Sequence, residues 1–74
     1  MLTVKQKQVL EAIDYFIENN QISPTYREIA NLLNCDVSTV FKKVLLLEKK
    51  GYIKTINGKS RTIVIVKEWK DESY

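Results

Sequence analysis

The apolar register of this chain breaks for only three residues, Asn34-Cys35-Asp36, and then resumes. Before the break, Ile29, Ala30, Leu32 and Leu33 fall at helical spacing; after it, Val40, Val44 and Leu47 do so again. Two helices joined by a turn of about three residues form a helix-turn-helix, the second helix held at an angle to the first. The punctuation agrees with this. Asn34 stands where a left-handed cap residue closes a helix, and Asp36 is a good N-cap for the next. Cys35 and Val40 occupy the hydrophobic-staple positions around Asp36, which makes Cys35 a buried spacer in the turn.

The same logic extends in both directions. Ser23-Pro24-Thr25 opens the earlier helix, because proline disfavours helical backbone at Ser23 and Thr25 with Glu28 has capping-box spacing. Upstream, Thr3 and Gln6 repeat that spacing, and Val9, Leu10, Ile13, Phe16 and Ile17 form one stripe of a helix from about Val4 to Asn19. Downstream, Gly51 ends the third helix, with Lys49 and Lys50 placed against the negative end of its dipole. Tyr52–Ile56 and Thr62–Val66 are rich in β-branched and aromatic residues, and Asn57-Gly58 between them is a hairpin signal. Lys59, Ser60 and Arg61 then lie at or near the tip. The expected fold is mainly α with a small β-hairpin: a winged helix-turn-helix of three helices plus a two-stranded wing. One domain is expected over residues 1–74, its core at about 2–66, with a polar tail over 67–74 in which Trp69 covers an edge of the core.

Several function classes are excluded by content. Histidine is absent, which removes histidine acid-base chemistry and ligation, and a single cysteine forms neither an internal disulfide nor a multi-cysteine metal site. No clustered carboxylates or phosphate loop suggest catalysis, so no enzyme, no metal, no cofactor and no small-molecule ligand are expected. The N-terminus is too polar for a signal peptide, and no apolar run approaches the ~20 residues of a membrane span. A cytoplasmic, reducing setting is expected.

The net charge of +3 is unevenly placed. Residues 36–66 carry Lys42, Lys43, Lys49, Lys50, Lys54, Lys59 and Arg61 against only Asp36 and Glu48, whereas the segments on either side are slightly acidic. A basic excess confined to the third helix and the hairpin is an electrostatic footprint for an anionic polymer. Charge alone does not separate that from a solvated helix face.

The sequence also carries a resemblance. Ser38-Thr39-Val40 followed by Leu47-Glu48-Lys49-Lys50-Gly51-Tyr52-Ile53 looks like the signature of bacterial winged-helix regulators. Leu2-Thr3-x-x-Gln6-x-x-Val9, Pro24-Thr25-x-x-Glu28-Ile29-Ala30, Lys50-Gly51, Ile53 and Ser60-Arg61-x-Ile63 are similar to the DNA-binding domain of the LexA repressor family, over roughly residues 2–66. The resemblance implies a double-stranded DNA partner and a role as a transcriptional repressor of prokaryotic, phage or plasmid origin. Such repressors also carry a self-cleaving, dimerising second domain. Since the sequence ends at Tyr74, no autoproteolysis is expected, and a monomer in solution or a weak dimer on DNA is. Val37, Ser38, Thr39, Phe41 and Lys42 do not reproduce the family's usual side chains, so its operator sequence does not carry over.

The candidate contacts follow from the docking geometry, in which the N-terminal half of the second helix of the motif enters the major groove. Val37, Ser38, Thr39, Phe41 and Lys42 lie there. Lys42 is either a phosphate or base contact or a solvated lysine; Ser38 either donates to DNA or braces the helix start; Thr39 either meets DNA or is partly buried. Phe41 is an aromatic on a face that should be polar, suited either to thymine methyls or to a protein interface. Arg27, at the start of the second helix, suits a phosphate or an exposed ion pair, and Lys59, Ser60 and Arg61 suit backbone or minor-groove contact. The competing function is a winged-helix adaptor that binds proteins and never touches DNA, kept open by the exposed Phe41 and Leu45.

Overall fold

The computed structural model describes residues 2–56 and 59–69. Helix α1 spans Val4–Asn20, α2 Tyr26–Leu33 and α3 Val37–Lys49; strands β1, Ile53–Lys54, and β2, Val64–Ile65, pair antiparallel with Ile53 opposite Ile65. This is the winged helix-turn-helix order. Both expected capping boxes form: the Thr3 hydroxyl accepts from the Gln6 amide, and the Thr25 hydroxyl from the Glu28 amide, each returned by the partner's side chain. Gln6 does more, because its side-chain oxygen also accepts from Lys50 Nζ at 2.8 Å and so ties the start of α1 to the end of α3.

The core lies where the three helical stripes meet. Leu10 and Ile13 of α1, Ile29 of α2, and Val40, Val44 and Leu47 of α3 are fully buried, with Leu2, Tyr52, Ile53, Ile63 and Trp69 closing the ends. Burial of each such aliphatic side chain contributes roughly 1.5–3 kcal/mol relative to exposure. Since one stripe of α3 is wholly consumed by the core, the opposite stripe faces outward by geometry.

Three details depart from the expectations. Cys35 is exposed, not a buried spacer. Asn34 takes the left-handed conformation at φ 55, and the Cys35 amide then donates to the Ala30 carbonyl at 3.0 Å; this helix-ending bond fixes the backbone and leaves the thiol outside. Asp36 occupies the N-cap position of α3, yet its side chain makes no cap bond. Leu32, assigned to the buried side of α2, is exposed, because eight residues present only a narrow face to the core.

The wing is shorter than its composition suggests. The ladder covers two residue pairs, extended at its base by Val66 N–H donating to the Tyr52 carbonyl. Above it, the Ile56 amide donates to the Thr62 hydroxyl instead of a facing carbonyl, so a side chain ends the sheet. The Asn57-Gly58 turn lies outside the described residues.

Two substitutions test this packing. Val44→Ala should lower unfolding free energy by about 2 kcal/mol in a denaturant titration, through lost core contacts. Gly51 sits at φ 85 with open space where a Cβ would point, so Gly51→Ala should cost about 1–2 kcal/mol from backbone conformation alone, without a clash.

Candidate nucleic-acid interface

Val37, Ser38 and Thr39 form the first turn of α3 and are all exposed, as are Phe41 and Lys42 one turn later. The partly buried alternative for Thr39 therefore does not hold. Ser38, Lys42, Leu45 and Lys49 recur at four, three and four residues and make the outermost stripe of the helix, opposite Val40, Val44 and Leu47.

Phe41 is not simply adrift on this face. Its ring meets Tyr26, the first residue of α2, edge to face with centroids 5.7 Å apart, and it stays 45% exposed. Tyr26 in turn lies close to the base of the wing. Its hydroxyl pKa is raised by burial first and then by the Glu48 carboxylate, with a hydrogen bond to Thr55 working the other way. Glu48 Oε2 also accepts from both the amide and the hydroxyl of Thr55, each at 3.2 Å, which fastens β1 to α3.

The opposite strand is fastened to α2. The Ile63 amide donates to Ser23 Oγ at 2.9 Å. Arg61 folds back beside it: Nη1 donates to Glu28 Oε1 and Nη2 to Glu28 Oε2, both at 3.0 Å, and Nη1 also reaches the Ser23 carbonyl at 3.2 Å. Glu28 Oε1 simultaneously accepts the Thr25 amide of the capping box at 2.8 Å. The Thr25 amide, then the Arg61 guanidinium, hold the Glu28 carboxyl below its ordinary range.

These ties enclose a groove of about 310 Å³ between the start of α2, the Phe41 face of α3 and the wing residues Lys59 to Thr62. The structure thus brings Phe41, Lys59, Ser60 and Arg61 to one groove, with Ser38, Thr39 and Lys42 on the same helix as Phe41. Arg27, exposed in the first turn of α2, is not among the residues lining it. Tyr26 and Thr55, which do line it, were not among the sequence candidates. An aromatic opening a helix was a visible signal for Tyr26; nothing local marked Thr55.

The sequence has relatives. A family model described as the LexA DNA binding domain matches residues 1–62. The chain belongs to the LexA DNA-binding domain family. It is 41% identical over 70 residues to the LexA repressor of Thermotoga neapolitana, which covers 95% of this chain and 36% of that relative. The LexA repressor of Thermotoga maritima is 42% identical over 66 residues, 89% of this chain and 34% of the relative. That of Leptospira interrogans is 35% identical over 72 residues, 97% and 36%. The chain therefore spans about a third of the length of these relatives. As a LexA-type domain, it places α2 and α3 as the helix-turn-helix and the β1–β2 hairpin as the wing. Among the described residues, no group of three or more acidic or cysteine side chains could hold a metal ion, and no helix is long and apolar enough to cross a membrane.

The depressed Glu28 carboxyl gives a directional test. A carboxylate whose pKa is lowered by folding stabilises the fold above its unfolded value, and that contribution is lost as pH falls through the folded value, here below 4.5. A carbon-detected side-chain titration should show Glu28 protonating later than a free glutamate on acidification. In Arg61→Gln its midpoint should move up toward 4.5, the Thr25 amide holding it partly down.

Proposed function

We propose that this LexA-type domain binds double-stranded DNA sequence-specifically and acts as a transcriptional repressor, with α3 in the major groove and the wing on the neighbouring backbone or minor groove. The observation that carries this is the groove joining Phe41 to Lys59 and Ser60, beside an α3 face whose outer stripe holds Ser38 and Lys42. A B-form major groove admits one helix, and an adjacent basic hairpin meets the phosphates that flank it. Ser38, Thr39 and Lys42 supply polar groups toward base edges and phosphates, and Phe41 and Val37 supply apolar surface for thymine methyls. Arg27 serves a phosphate from the first turn of α2, where free amides also point outward.

Residues 2–66 act as one reading unit with no catalytic step and no cofactor, working in the cytoplasm of a prokaryotic cell. A single copy is monomeric in free solution. Trp69 is buried in the core and not free to pair two copies, and the exposed apolar side chains Val37, Phe41, Leu45 and Leu46 belong to the helix presented to DNA. No observation favours the adaptor reading over this one.

Binding should weaken steeply with salt. Neutralising about four phosphates predicts a log–log slope near −3.5 for a duplex titrated by fluorescence anisotropy. Lys42→Ala should reduce that slope by about one while leaving the thermal midpoint nearly unchanged, since its side chain is exposed. No measurable binding to random or selected duplex at ~50 mM salt would overturn the reading.

A further inference from the structure

The wing's hydrogen-bond ladder spans only two residue pairs, too few to hold a hairpin at a fixed angle by itself. The far strand is held at Ile63 and Ile65 by the core, and beyond Ile63 toward the tip what fixes it is its attachment to the α1–α2 connection and the first turn of α2. Arg61 is central to it. Its backbone sits at φ 58, a left-handed conformation that a non-glycine residue adopts at a cost. That conformation accompanies a guanidinium aimed back at the protein, with both terminal nitrogens on the two oxygens of Glu28 and one also on the Ser23 carbonyl. The planar fork matches the carboxylate in the two-point geometry that gives direction as well as attraction. Both side chains remain partly open to solvent, at 41% for Arg61 and 31% for Glu28, so the pair adds little to global stability. An outlying backbone and a two-point ion pair with so little bearing on stability require another reason.

We propose that Arg61 and Glu28 form a clip that sets the wing for DNA, and that Arg61 is a positioning residue rather than a phosphate ligand. Glu28 is suited to this because the capping box already fixes its carboxylate: Thr25 N–H holds Oε1 at 2.8 Å while Arg61 takes both oxygens. The wing is thereby indexed to the start of α2, and through the Tyr26–Phe41 contact to the face of α3. Lys59 and Ser60, left exposed beside the clip, are the wing groups that meet the backbone. This inference rests on the DNA-binding reading, and it carries an unusual sign. Removing the negative charge of Glu28 from a DNA-facing surface should strengthen binding on electrostatic grounds alone; the clip demands that it weaken binding.

The test uses Glu28→Gln, Arg61→Gln and the double variant. Glutamine keeps the capping box, since it also accepts from the Thr25 amide, so Glu28→Gln removes the ion pair and leaves the helix start intact. Anisotropy titration with a mixed-sequence duplex at low salt should show each single variant binding about fivefold more weakly, and the double variant no worse than either. In the free proteins, backbone order parameters over residues 59–62 should fall from the rigid range of about 0.85 in both single variants. If Glu28→Gln binds as tightly as the parent or more tightly, or if its wing stays as rigid, the clip is wrong. An Arg61→Gln loss that Glu28→Gln does not share would instead make Arg61 a direct phosphate ligand. If the parent binds no duplex at all, the DNA reading fails, and the order parameters alone decide whether the clip holds the wing.

Discussion

Burial of Val40, Val44 and Leu47 against α1 and α2 is the constraint on which the remaining geometry depends. These three side chains are fully enclosed, so α3 cannot rotate about its axis without exposing them. Rotation is the one freedom that would change which residues a recognition helix presents. With the apolar stripe pinned, Ser38 and Lys42 face outward whatever their own preferences, and Phe41 lies at the edge between the core side and the open face. The short left-handed turn at Asn34 sets the second variable, the angle at which α3 leaves α2.

The wing obeys a different physics. Hydrophobic burial holds one face of it, through Tyr52, Ile53 and Ile63 with Ile65 packed against the core, and stops short of the tip. Beyond that, polar bonds from other elements take over: Glu48 to Thr55 on one strand, Ser23 to Ile63 and Glu28 to Arg61 on the other. A two-stranded ribbon has two exposed edges; here Glu48 of α3 takes an amide on one, and Ser23 of the α1–α2 connection takes an amide on the other. The outcome is a helical body held by packing and a wing held by directional bonds. Such a division suits a reader whose helix is set by the core and whose hairpin is set by the polar bonds around it.

Most of the helical body was legible in the sequence, because capping boxes and stripes are local signals. Thr3 with Gln6 and Thr25 with Glu28 announce helix starts within four residues, and Asn34 announces a stop. The sequence misled where a residue's side depends on a turn's handedness. Cys35 reads as buried by type, but the backbone bond to Ala30 puts it outside. The length of the wing was not legible either, since strand propensity over Thr62–Val66 does not reveal that the Thr62 hydroxyl will intercept the Ile56 amide. In the site, the exposed face of α3 followed from its stripe, whereas the pairing of Glu28 with Arg61, thirty-three residues apart, has no signature in a single sequence.

The central claim is that α3 and the wing form one surface for duplex DNA. The direct measurement is a nitrogen-edited NMR titration of the protein with a duplex selected from a random pool. Amides of residues 37–42 and 59–62 should shift together with one binding curve, while the outer face of α1 around Glu11 and Tyr15 stays silent. Shifts centred on α1 and Leu32, or on the wing without α3, would contradict it.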